Sequence, residues 1–179
     1  HCRPSFLTID IFKQREYDIV CYFDADMLCV KDITDGVNKA KDYDFVAHCQ
    51  REASTTNGGF LIIGKNILQS NTYERMISYM NQVMLGDYIS RLEDQEVLNA
   101  GLLDDFTWCD LSHSYNFRDF AKKGDWNGFK DAKIIHWSGA MPKVGQAPVP
   151  KPWNDNALED DATNIWREYN TNMKKEFEV

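Results

Sequence analysis

The run Asp18-Ile19-Val20-Cys21-Tyr22-Phe23, followed at once by Asp24-Ala25-Asp26, constrains this chain more than any other stretch. Apolar and β-branched residues in succession predict a buried strand. That strand ends in two carboxylates, and residues two apart in extended chain point the same way. Asp24 and Asp26 can therefore converge on one cation. Hard oxygen ligands of this kind suit Mg²⁺ or Mn²⁺, the ions that carry nucleotide diphosphates. Asp pairs at strand ends are also often merely solvated, so the rest of the chain has to decide.

Three more apolar runs predict strands, Phe45 to His48, Phe60 to Ile63 and Ala132 to Trp137. Ile33 to Lys41 reads as a short helix or turn. From Ser70 to Leu85, Tyr73, Met76, Ile77, Met80 and Met84 recur at helical spacing, a stripe that suits core better than a ligand site. Asn71 with Glu74 resembles a capping box at that helix's start, and Gly86 would stop it. Residues 157–175 read as a C-terminal helix with Leu158, Ala162, Ile165, Trp166, Tyr169 and Met173 on one face. Glu159, Asp160 and Asp161 at its start and Lys174 and Lys175 at its end complement the helix dipole. The Pro- and Gly-rich segment 139–153 predicts a loop or lid. Strands alternating with helices predict an α/β fold. At 179 residues the chain has room for one domain, 1–179, with a real core.

A net charge of −8 opposes nonspecific binding to nucleic acid or anionic membrane, so an anionic substrate would need a cation or a local basic group. No run approaches the length of a transmembrane segment. Cys2, Cys21, Cys29, Cys49 and Cys109 are odd in number and form no C-x-x-C pair, which disfavours a zinc ribbon and predicts a reducing, cytoplasmic setting. The opening at His1, without Met, leads to the expectation that upstream residues precede it.

His136 closes its predicted strand, where an α/β protein places ligands, although a lone His there is more often structural or exposed. An imidazole beside two carboxylates would favour Mn²⁺ over Mg²⁺. Asn57-Gly58-Gly59 reads either as a hairpin-type turn or as backbone that a ligand can approach, with the Asn amide on sugar hydroxyls. Asp94-Gln95 opens a polar helix, where a carboxylate can simply cap. Lys151-Pro152-Trp153 can be a surface Lys before a Pro-fixed turn with Trp packed beneath.

In that order, Asp24-Ala25-Asp26, Asn57-Gly58-Gly59, Asp94-Gln95, His136-Trp137-Ser138-Gly139 and Lys151-Pro152-Trp153 resemble glycosyltransferase family 8, the family of glycogenin and galactinol synthase. The resemblance runs over almost the whole chain. It implies a GT-A fold, a mostly parallel sheet flanked by helices and here lacking its first strand. It also implies Mn²⁺-dependent transfer of a hexose-type sugar from a UDP-sugar to a saccharide or glycoconjugate acceptor, with retention of configuration. Asp24, Asp26 and His136 would then be the metal ligands. Asn57, Gly58 and Gly59 would contact donor sugar or acceptor, Asp94 and Gln95 would sit at the reacting sugar, and Gly139 and Lys151 would meet the diphosphate. The chain departs from the family pattern where Ala140 to Pro150 intervenes before K-P-W, so Lys143 competes with Lys151 for the phosphate.

Two other readings stand beside this one. Tyr22 to Asp26 also resembles the opening of a haloacid dehalogenase-type phosphatase, with Asp104-Asp105 as its later acidic motif, but Leu28 and Cys29 do not supply the residues that pattern wants. The chain can also be read as a nonenzymatic sugar-nucleotide-binding module.

Overall fold

The structure, a computed structural model, describes residues 4–50, 55–85, 93–103, 105–118, 129–137, 151–154, 157 and 161–177. Its strands are β1 (Ile19–Phe23), β2 (Met27–Cys29), β3 (Phe45–Gln50), β4 (Thr55–Gly64), β5 (Trp108–Asp110) and β6 (Ile134–His136). Its helices are α1 (Thr34–Lys39), α2 (Lys65–Leu68), α3 (Thr72–Leu85), α4 (Glu93–Leu102) and α5 (Asp161–Phe177). A 3-10 helix, Pro4–Lys13, precedes β1. The α/β class expected from the sequence is the one observed.

The chain divides into two compact units, 1–24 with 32–113, and 25–31 with 114–179. The first holds a four-stranded sheet in the order β1-β4-β3-β5. Both β1 and β3 run antiparallel to β4, and β5 runs parallel to β3. Three strands thus share one direction and β4 opposes them, so the sheet is mixed, with one inverted central strand. Phe60, Leu61, Ile62 and Ile63 of that strand are fully buried, because neighbours flank it on both sides and helices cover it. That is why its apolar run shows no alternation.

The core of this unit joins Phe45, Leu61 and Ile63 to Ile67, Leu68, Met76, Met80, Val97, Leu98 and Leu102. Ile9 and Phe12 of the 3-10 helix complete it, although the sequence reading assigned that segment no element. The Met stripe of α3 is core, as expected, at Met76 and Met80. Its start is capped differently from the expectation. Ser70 Oγ accepts the Thr72 N–H at 3.1 Å, so an ST-type turn replaces the Asn71–Glu74 box.

The second unit pairs β2 with β6, antiparallel, with Met27 opposite His136. Phe117, Ala132, Ile135, Trp137 and Ala162 form its core, with Leu28, Val30 and Trp166 packed against it. The apolar face expected along the C-terminal helix is only partly used. Ala162 is buried, whereas Tyr169 and Met173 are 46% and 54% exposed among the described residues. Helical spacing identifies a face but not how far along it the neighbours reach.

Candidate metal centre

In the first unit, β1 carries Asp24 to the edge of the sheet where β1, β3 and β5 all end and β4 begins. In an α/β sheet, that carboxyl edge is where ligands bind. The Asp24 N–H donates to Gly59 O at 2.8 Å, which extends the β1–β4 ladder by one step and fixes the backbone. Two residues back on the same face, the Tyr22 hydroxyl donates to Asp24 Oδ1 at 2.7 Å. Thr8 Oγ1 lies 3.0 Å from the same Tyr22 hydroxyl. The carboxylate is held, not merely solvated.

Asn57-Gly58-Gly59 lies inside β4, not in a turn ahead of it. The hairpin-type reading therefore fails. Asn57 is buried, and its Oδ1 accepts the Gly59 N–H at 3.0 Å. Gly58 has a packing reason to lack a side chain, since a Cβ there would meet Leu98 Cδ1 of α4 at 3.1 Å. That close approach seats α4 on the first half of β4. Asn99 locks it further, because its Oδ1 accepts both the N–H and the hydroxyl of Thr56, at 2.8 and 3.0 Å. The Asn99 amide donates to Gln95 O at 2.5 Å. Asp94 and Gln95 thus stand in the first turn of a helix clamped beside the sheet end that carries Asp24. The Asp94 side chain lies outside the described residues. Asn99 lies in the same helix as Asp94 and Gln95, but nothing in the sequence pattern gave it a role.

In the second unit, Asp26 precedes β2 and His136 ends β6, and the ladder, which sets Met27 opposite His136, makes Asp26 and His136 diagonal neighbours. The Trp137 N–H donates to Asp26 O at 2.9 Å and continues that pairing. His136 is buried, with Nε2 3.2 Å from Asp26 Oδ1 and Nδ1 2.7 Å from Asn116 Oδ1. The Lys151 ammonium donates to Asp26 Oδ2 and to the Trp137 carbonyl. Burial alone would raise the Asp26 carboxyl, but the hydrogen bonds from His136 and Lys151 outweigh it. They hold that carboxyl far below the usual carboxylate range.

Asp24, Asp26 and His136 each offer a ligand atom, and these atoms lie within 4.8 Å of one another. The trio fits a hard divalent cation. Two anionic oxygens balance its charge, and the imidazole's other nitrogen is already committed to an acceptor. Gly139 and Lys143, with most of the expected lid 139–153, lie outside the described residues. Of the residues invoked for a phosphatase, Asp104 also lies outside them, and Asp105 is paired with Arg75.

No protein-family model and no curated protein matches the sequence. Solved structures do match the fold. The glycosyltransferase GlyE of Streptococcus pneumoniae TIGR4 superposes with a TM-score of 0.66 at 22% identity, over 93% of this chain and 42% of its own. The fold is one that glycosyltransferases use. The galactosyltransferase LgtC, solved with donor and acceptor sugar analogues, gives 0.63 at 17% identity over 91% of this chain and 65% of its own. The bifunctional glycosyltransferase WbbM gives 0.64 at 14% identity over 86% and 34%. At these identities the likeness is one of fold, and the chain spans only part of the length of each.

Proposed function

We propose that this chain is the nucleotide-sugar-binding part of a retaining, family 8-like glycosyltransferase, moving a hexose-type sugar from a UDP-sugar to a saccharide or glycoconjugate acceptor. The observation that carries the reading is the convergence of Asp24, Asp26 and His136 at strand ends, in a fold that glycosyltransferases use. These three residues would hold Mn²⁺, or Mg²⁺ as the alternative. The cation would neutralise charge that develops on a diphosphate leaving group.

The chain's own groups divide the remaining work. Lys151, ion-paired with the carboxylate that would ligate the metal, is a compact cation that would bind the phosphates. Asn57, Gly58, Gly59 and Gly139 would line the sugar and phosphate path. Asp94, with Gln95, would face the anomeric carbon and stabilise its oxocarbenium character with a fixed negative charge.

The test is turnover of a panel of UDP-sugars with saccharide acceptors, with and without Mn²⁺, read by mass spectrometry of the acceptor. Transfer to an acceptor that needs Mn²⁺ and disappears in Asp26→Ala is the expected result. Donor binding without transfer to any acceptor would favour the binding-module reading. Transfer that is indifferent to chelator would refute the metal assignment.

A further inference from the structure

Asn116 is fully buried in the 3-10 turn His113–Asn116, and its Oδ1 lies 2.7 Å from His136 Nδ1. A carboxamide oxygen can only accept, so the Nδ1 position of the ring must carry the proton. The ring's other nitrogen, Nε2, faces Asp26 Oδ1 at 3.2 Å. Backbone pairing holds the two residues in this relation. The His136 N–H donates to Phe117 O at 3.0 Å, and the Phe117 N–H donates to Ile134 O at 3.0 Å. The residue just before Phe117 therefore lies beside the end of β6.

We propose that Asn116 is a positioning residue for His136, fixing the ring with its Nδ1 proton on the carboxamide and its Nε2 lone pair aimed at the cation held by Asp24 and Asp26. The proposal rests on the reading of those three residues as the ligands of a divalent ion. Asp24 and Asp26 already balance a divalent cation, and Asn116 orients the third ligand without adding a third negative charge. Leucine, of similar volume, fills the site but accepts no hydrogen bond, so it removes the carboxamide acceptor that the Nδ1 proton has in the wild-type chain.

The experiment measures binding of Mn²⁺ alone, by electron paramagnetic resonance titration of free ion. The proteins are the wild-type chain, Asn116→Leu, Asn116→Asp, His136→Ala, Asp26→Ala and the double variant Asn116→Leu/His136→Ala, with thermal melts of each without metal. Asn116→Leu should weaken Mn²⁺ binding by about tenfold to a hundredfold, the range seen for such outer partners. Asn116→Asp, which keeps the acceptor, should bind at least as tightly as wild type. In the His136→Ala background Asn116→Leu should change the affinity no further, because the ring it orients is gone.

Wild-type affinity in Asn116→Leu, with Asp26→Ala still abolishing binding, would overturn the proposal and leave the metal reading standing. Equal weakening by Asn116→Leu with and without His136 would also overturn it, as a packing effect. If the wild-type chain binds no Mn²⁺, the metal reading itself falls and the proposal with it. If Asn116→Leu does not fold, loss of binding in Asn116→Asp serves instead, since the acceptor alone would then not suffice.

Discussion

At the scale of single residues, Asp24 and Asp26 stood out as two carboxylates closing an apolar run, but the extended geometry expected between them is not what the chain adopts. It turns at Ala25 and Asp26, with Asp24 paired to Gly59 and Asp26 to Trp137. His136 was legible as a strand end. Asn116 was not, since it sits in a short turn 20 residues from its partner and nothing in its local sequence marks it. Lys151 was expected on a diphosphate and is found on Asp26 and the Trp137 carbonyl. These two positions make a prediction with opposite signs. Lys151→Met frees Asp26 Oδ2, so Mn²⁺ alone should bind several-fold more tightly. The same change removes a charged donor worth about 1.5–3 kcal/mol, so UDP in the presence of saturating Mn²⁺ should bind at least about tenfold more weakly. Calorimetric titration of each ligand reads both. A Lys151 that only braces the fold would move the two affinities in the same direction.

At the scale of elements, the apolar run of β4 and the stripe of α3 were readable from pattern alone, while the clamps between elements were not. Gly101 of α4 is one such clamp. A Cβ there would sit 2.6 and 2.7 Å from Met76 Cε and Cγ, and Met76 is fully buried. Overpacking of this kind costs about 1–3 kcal/mol, against about 1 kcal/mol that alanine returns in helix propensity. The net cost of about 0–2 kcal/mol should lower the melting temperature of Gly101→Ala by up to about 8 °C, at about 2–4 °C for each kcal/mol in a chain of this size; scanning calorimetry checks it, and a rise would contradict the clamp.

Asp44 is a second clamp, at the starts of β3 and β5. Its carboxylate accepts the Thr107 N–H and hydroxyl, both at 2.8 Å, and the Asn66 amide at 2.7 Å. Partial burial would raise its carboxyl, but these donors lower it below the ordinary value. A carboxylate whose folded pKa is depressed stabilises the fold above its unfolded value, about 4, and loses that contribution as pH falls through the folded one. Asp44→Ala should then cost about 1–2 kcal/mol at neutral pH and progressively less in acid. Urea melts over a pH series would show the wild type and the variant converging. Curves that stay parallel down to the acid limb would contradict this role.

At the scale of the whole molecule, charge is the property the sequence states most directly, and no described helix is long and apolar enough to cross a membrane. With 28 acidic and 20 basic side chains, the net charge of −8 repels an incoming nucleotide diphosphate. Raising salt from about 10 to about 100 mM shortens the screening length from about 30 to about 10 Å. In chelator, UDP affinity should therefore rise with salt, because screening relieves the repulsion. With Mn²⁺ saturating, affinity should be much tighter and change little, because short contacts between ion and phosphate are screened least. Equilibrium dialysis of UDP under the four conditions decides it. A steady fall in the chelated affinity as salt rises would mean that basic side chains near the site, Lys151 first among them, dominate the field a nucleotide meets, and that the net charge of the chain does not.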